Sequence, residues 1–208
     1  MAILIDKKNK LYVDNLNNET ITNFNNLVKD EIKNRKKGTF ELLFFGNNVN
    51  RQEVYYDFEP EDISIYAYKD LSEEQKKIIK LAKSYFDKAG LNVNEYKGRI
   101  TFTSCKYDSH ELIHCPFGIH TDNEEFEDAH TCIFYTQIDE KLKGGDLDIY
   151  LEYTLLQFIG LESMKPLDLG IKTGSVVVFD GNLFHSAQPC SGFGYRNHII
   201  VNLYRKRK

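Results

Sequence analysis

From Arg99 onward the chain is a succession of short β-branched and aromatic runs separated by Gly, Asn and Asp turns. This rhythm restricts the fold more than any other feature of the sequence. Strands are expected near Ile100–Tyr107, Thr131–Gln137, Asp146–Leu151, Ser175–Phe179, Phe184–Ala187 and Arg196–Tyr204. Several short strands punctuated by turns close into a sandwich or a barrel. The supply of 13 Tyr and 14 Phe suits such strands. The first hundred residues read as helices with some strand. Ile21, Phe24, Val28 and Ile32 recur at helical spacing, with Gly38 placed as a stop. In a second helix Ser72 and Gln75 form a capping box, Ile78, Ala82, Tyr85 and Phe86 line one face, and Gly90 follows the end. Further strands are expected at Phe40–Phe45 and Ile63–Tyr68. No repeat or low-complexity linker divides the 208 residues, so a single domain is expected, long enough to bury a sizeable core.

Charge and cysteine usage narrow the class. A formal net charge of −4 argues against a chain built to bind nucleic acid by bulk electrostatics. The basic runs Lys33–Lys37 and Arg205–Lys208 read as a solvated helix end and a frayed tail. Cys105, Cys115, Cys132 and Cys190 show no CxxC spacing, which points to reduced thiols in a cytosolic-type compartment. The N-terminus is charged by Asp6, too early for a signal peptide, and no apolar run approaches transmembrane length. A cytoplasmic location and no membrane partner are expected.

Chemistry concentrates at the strand ends. His120 and Asp122 are two positions apart, so on an extended chain both side chains leave from one face. His185 follows the strand-like run Gly174-Ser-Val-Val-Val-Phe-Asp180 and the turn Gly181-Asn182. Two imidazoles and one carboxylate form the ligand set of non-haem Fe(II) oxygenases, which leaves the opposite face of an octahedral ion open. Arg196 opens the last strand, placed to hold the distant carboxylate of a small acid. His110, His114 and His130 have no compact spacing and read as loop or rim histidines. His198 shares the strand face of Arg196, with packing as its default role.

With these residues in place, the chain resembles the Fe(II)/2-oxoglutarate-dependent dioxygenases, and within them the prolyl 4-hydroxylase-type branch. The resemblance rests on His120-Thr-Asp122, Thr131-Cys-Ile-Phe-Tyr135, Gly144-Gly-Asp-Leu-Asp-Ile-Tyr150, Gly174-Ser-Val-Val-Val-Phe179, His185 and Arg196, and covers roughly the second half of the chain. It implies a mainly β (α+β) fold: a double-stranded β-helix, or jelly-roll, cupin-like core over residues 99–208 supported by N-terminal helices in residues 1–98. It also implies that His120, Asp122 and His185 ligate Fe(II) and that Arg196 pairs with the C5 carboxylate of 2-oxoglutarate. Tyr135 would reach that carboxylate, with Thr131 on the same face toward the iron. Tyr107 resembles the first-strand tyrosine that lines the cosubstrate pocket, a plain core tyrosine being its alternative. The implied cofactors are Fe(II), 2-oxoglutarate as cosubstrate and O2, with ascorbate as an optional addition; the products are succinate, CO2 and a hydroxylated substrate.

Three readings of the substrate stand side by side. The leading one is a protein or peptide side chain, prolyl first, supported by the family branch and by the acidic segment Asn123-Glu-Glu-Phe-Glu-Asp128, which would repel phosphates. Oxidative demethylation of a nucleic-acid base is disfavoured, because that branch carries a second arginine where this chain has Asn202. A free amino acid or other small molecule is a variant of the enzyme reading. A jelly-roll binding module without activity is the reading from a different class. The segment Tyr153–Asp168 between two core strands is a candidate lid.

Overall fold

The computed structural model describes residues 4–6, 8–34, 49–58, 71–92, 96–113, 118–122, 127–151 and 165–205. Ten strands and two helices follow one another: β1 (Leu4–Asp6), β2 (Leu11–Asn15), α1 (Asn18–Asn34), β3 (Val49–Phe58), α2 (Glu73–Lys88), β4 (Lys97–Ile113), β5 (Glu127–Ile138), β6 (Leu142–Gly144), β7 (Leu147–Tyr150), β8 (Ser175–Asp180), β9 (Phe184–Ala187) and β10 (Cys190–Arg205). The large sheet runs β1-β2-β8-β5-β10-β4-β3, every described pairing antiparallel, with β6 on the far end of β10. A second sheet pairs β7 with β9 and is widened by single bridges, His120 to His185 on one side and Leu167 to Ile149 on the other. From β4 onward, β6 apart, the chain alternates between the two sheets by way of His120, β7 and β9, which is the winding of a jelly-roll.

Alternation along the strands decides what each face holds. On β10, Ile199, Val201 and Leu203 point to the helix side and are fully buried; on β5, Cys132 and Phe134 join them. Helix α2 starts at the capping box of Ser72 and Gln75 and lays Ile78, Ile79, Ala82, Tyr85 and Phe86 on that face. Phe24 of α1 meets Phe134 edge-on, with ring centroids 5.5 Å apart. Glu31 of α1 accepts from the Tyr56 hydroxyl and the Gln75 amide, both at 2.6 Å, so one carboxylate ties α1, α2 and β3 together.

The other face of the large sheet is apolar only beneath the second sheet, where Leu11, Val13, Ile133, Val177 and Phe179 pack against Leu147 and Ile149. Toward β4 and β3 the same face becomes polar, with Thr103, Cys105, Arg51 and Glu53. The jelly-roll is therefore filled at one end and polar at the other. The expected strands of the second half are present. β4 extends to Ile113, and β10 begins at Cys190, earlier than the sequence indicated. The first hundred residues contribute more sheet than expected, since β1, β2 and β3 extend the large sheet at both edges. Gly38, the expected strands Phe40–Phe45 and Ile63–Tyr68, and all but the last four positions of the expected lid Tyr153–Asp168 lie outside the described residues.

Phe86 is fully buried, so Phe86→Ala is expected to cost about 3–5 kcal/mol of unfolding free energy. Ser72→Ala, which removes one helix cap, should cost about 1 kcal/mol. Chemical denaturation of the two variants beside the parent chain checks both values.

Candidate active site

His120 and His185 face each other as a doubly bonded antiparallel pair: the His120 N–H donates to the His185 carbonyl at 3.0 Å and the His185 N–H returns a bond at 2.9 Å. Residues paired in this way send their side chains to the same face. The two imidazole centroids lie 4.3 Å apart. Two residues after His120, the Asp122 N–H donates to the carbonyl of Gly181 in the turn before β9 (2.9 Å). That turn is fixed in its turn by Asp180, whose carboxylate accepts from the Asn182 backbone and amide (3.0 Å each) and from Lys10 (3.0 Å).

The donor atoms of His120, Asp122 and His185 all lie within 4.8 Å of one another. Two atoms each about 2.0–2.6 Å from a divalent ion can be at most about 5 Å apart, so one ion can bridge this set. Each imidazole has its Nδ1 against a backbone carbonyl, Gly118 for His120 (2.8 Å) and Leu183 for His185 (3.0 Å). A neutral ring held this way carries its proton on Nδ1 and turns Nε2, lone pair exposed, toward a metal. The His185 Nε2 stands 3.5 Å from Asp122 Oδ1. Burial pushes the Asp122 carboxyl up, but hydrogen bonds from His185 and Thr131 and the charges of the two histidines outweigh it and hold the group below the usual carboxylate range. Burial pulls His185 down, and its hydrogen bond and charge contact with Asp122 more than reverse that, leaving it raised.

The second oxygen of Asp122 accepts a short hydrogen bond from the Thr131 hydroxyl, which itself accepts from the Asn202 amide at 2.9 Å. Thr131 and Asn202 are cross-strand partners on β5 and β10, so the sheet register orients the carboxylate. Thr131 thus stands behind a proposed metal ligand. Asn202 went unread as a contributor, although its spacing from Arg196 by three pleats already put both on one face.

At the other end of the same face Arg196 is buried, its guanidinium 5.2 Å from the Tyr135 ring centre. Burial raises the Tyr135 phenol, while the charge and hydrogen bond of Arg196 pull the other way. The double glycine gives this arginine its room. Gly144 and Gly145 have φ of +74° and +78°, and a Cβ on Gly145 would overlap Arg196 Nη1. Tyr107 lies half-buried on β4, its hydroxyl against the Cys190 thiol and raised by burial. Cys105, Cys132 and Cys190 are free and buried; Cys115 and His114 lie outside the described residues, as does Asn123–Phe126 of the acidic segment. His110 stacks edge-on against Phe193, and His130 sits 3.7 Å from Asp180 behind the turn, so neither joins the cluster.

The sequence matches no protein-family model and no curated protein. Solved structures do match. A prolyl-4-hydroxylase from Pseudomonas putida superposes with a TM-score of 0.56 at 11% identity, over 96% of this chain and 94% of that one. IDO from Bacillus thuringiensis gives 0.54 at 11%, over 94% and 90%. HygX from Streptomyces hygroscopicus, crystallised with nickel, 2-oxoglutarate and hygromycin B bound, gives 0.53 at 10%, over 94% and 83%. The chain has the fold of the 2-oxoglutarate/Fe(II) oxygenases. At these identities the likeness is one of fold. Among the described residues no helix is long and apolar enough to cross a membrane.

Because Thr131 orients Asp122 in this arrangement, Thr131→Val should weaken divalent-metal binding roughly 10- to 100-fold while leaving the fold intact. Titration with Mn(II), followed by the free-ion paramagnetic signal, measures it; an unchanged affinity would show that the carboxylate is positioned by other groups.

Proposed function

We propose that this chain is an Fe(II)- and 2-oxoglutarate-dependent dioxygenase that hydroxylates a protein or peptide side chain, prolyl first. The observation that carries the reading is the convergence of His120, Asp122 and His185 at one end of a polar sheet face that holds a buried arginine at its other end. His120, Asp122 and His185 would hold the metal, and their donor set suits a first-row ion of the Fe(II) kind. When bound, iron and 2-oxoglutarate supply the oxidation: O2 is consumed, the cosubstrate leaves as succinate and CO2, and one C–H of the substrate becomes C–OH.

The chain's own residues bind, orient and exclude. Arg196 offers two parallel donors to the distant carboxylate, and its burial strengthens that pairing. Tyr135, its ring centre 5.2 Å from the same guanidinium, would add its hydroxyl as a further donor. Thr131 and Asn202 keep Asp122 turned so that one oxygen faces the metal position. Ile133, Ile149 and Phe179 form the dry wall behind it.

The fold shared with the Pseudomonas putida prolyl-4-hydroxylase supports the peptide substrate. A small-molecule substrate is the second reading, supported by HygX, whose structure holds hygromycin B on the same fold. Base demethylation is weakened further, since Asn202, at the place of the second arginine, is spent on Thr131.

Asp122→Ala is expected to abolish Fe(II)-dependent succinate formation, and full activity in that variant would refute the ligand set. Arg196→Ala should raise the 2-oxoglutarate requirement by about 100-fold, the loss of a buried charged pair, with iron binding spared. A succinate-release screen over proline-containing peptides, methylated oligonucleotides and metabolite pools identifies the substrate; turnover confined to metabolites would replace the peptide reading.

A further inference from the structure

On β5 the sheet register slips beside the proposed carboxylate anchor. Arg196 faces Ile138 and Asn197 faces Gln137, but His198 faces Tyr135, so Thr136 is an extra residue in the ladder. Two residues set against one make a β-bulge, which bends the strand and re-aims the side chains around it. The packing shows the effect. Tyr135 and Ile138 both pack on the side of the second sheet, although strict alternation would have put Gln137 beside Tyr135 on that face. Thr136 and Gln137 instead both bond the same residue on the helix side, Asn25 of α1.

Asn25 closes the bulge with one side chain. Its amide donates to Gln137 Oε1 at 3.0 Å, and its oxygen accepts from the Thr136 hydroxyl at 3.4 Å and the Asn197 amide at 2.9 Å. The Asn197 amide also donates to Gln137 (3.1 Å), and its oxygen accepts from Ser104 of β4 (2.8 Å). Gln137 in turn donates to Asp139 (2.6 Å), whose other oxygen accepts from the Tyr195 backbone N–H (2.8 Å). Tyr195 and Asn197, the chain neighbours of Arg196 on either side, are thus held by one continuous network. Thr136 and Asn197 are almost fully buried, so their polar atoms depend on these partners. Asparagine is a weak helix former, yet this one stands in the middle of α1. Its hydrogen bonds serve the sheet beneath the helix.

We propose that Asn25 is a positioning residue for the cosubstrate anchor: by closing the bulge at Thr136 and Gln137 it fixes the backbone from which Arg196 reaches into the site. This rests on the reading above, that Arg196 holds 2-oxoglutarate. Asn25 acts from the far face of the sheet, through the strand that carries Arg196. Helix α1 is thereby part of the binding apparatus as well as a cover on the core.

The test is calorimetric titration of 2-oxoglutarate into the full chain loaded with Mn(II), which supports binding without turnover. Asn25→Leu should weaken binding roughly tenfold, with Mn(II) affinity unchanged. 2-Oxobutanoate, which lacks the second carboxylate, should bind the parent chain and Asn25→Leu equally. In an Arg196→Ala background Asn25→Leu should add less than about twofold, because the group it positions is gone. Ser72→Ala, which weakens a helix away from the network, should bind 2-oxoglutarate as the parent does. Parent-like binding by Asn25→Leu, equal losses for both acids, a second tenfold loss in the Arg196→Ala background, or a matching loss in Ser72→Ala would each reduce Asn25 to a packing residue. If Asn25→Leu does not fold, Asn25→Asp decides by the same criteria, since it keeps the size but sets an oxygen against Gln137 Oε1. A parent chain that binds Mn(II) but no 2-oxoglutarate would overturn the functional reading and this proposal with it. A parent chain that binds normally confines any failure to Asn25.

Discussion

The site depends on one backbone pairing, the two hydrogen bonds by which His120 and His185 exchange N–H and C=O. They lie sixty-five positions apart in the chain (185 − 120), and each ring is steadied by a backbone carbonyl two residues before it, Gly118 and Leu183. The pairing fixes both Cα positions and sends both rings to one side, so the ligand geometry is set by main-chain bonds that do not compete with metal binding. Everything else adjusts that pair. Gly181 receives the Asp122 N–H, Asp180 holds the turn that contains Gly181, and Thr131 with Asn202 turns the carboxylate. The sheet register that pairs Thr131 with Asn202 also pairs Tyr135 with His198. The His120, Asp122 and His185 cluster and Arg196 thus stand at two levels of one ladder.

That ladder explains why the face is polar where it is. Beneath the second sheet its residues can be buried without partners, and Leu11, Val13, Val177 and Phe179 are apolar. Past β5 the described face carries Thr103, Arg51 and Glu53, and such polar groups call for partners. Glu53 accepts from Arg51 and from Thr103, Thr131 from Asn202, and Tyr135 faces Arg196.

Much of this was legible in the sequence. Val-Val-Val-Phe within β8 and Thr-Cys-Ile-Phe-Tyr within β5 are continuous apolar runs because both of their faces are covered, and they declare themselves as strands. His185 stood out because it follows such a run, and His120 and Asp122 because a spacing of two sets them on one strand face. Strand β3 did not stand out. One of its faces is charged, with Arg51, Glu53 and Asp57, because it borders the open polar end and not a dry core. β2 is five residues long, too short for a periodic signal. Asn202 acts through a hydrogen bond that exists only once β5 and β10 are paired, so no local pattern could mark it; Asp180 holds Asn182 locally and reaches Lys10 only across the sheet.

Three side chains, brought together by one backbone pair, stand close enough to make a single metal centre. Anomalous diffraction at the manganese edge from crystals of the full chain soaked in Mn(II) tests it most directly. The account requires one strong peak about 2.0–2.4 Å from a nitrogen of His120, an oxygen of Asp122 and a nitrogen of His185. A fully occupied peak at any other cluster, with none between these three residues, would contradict it.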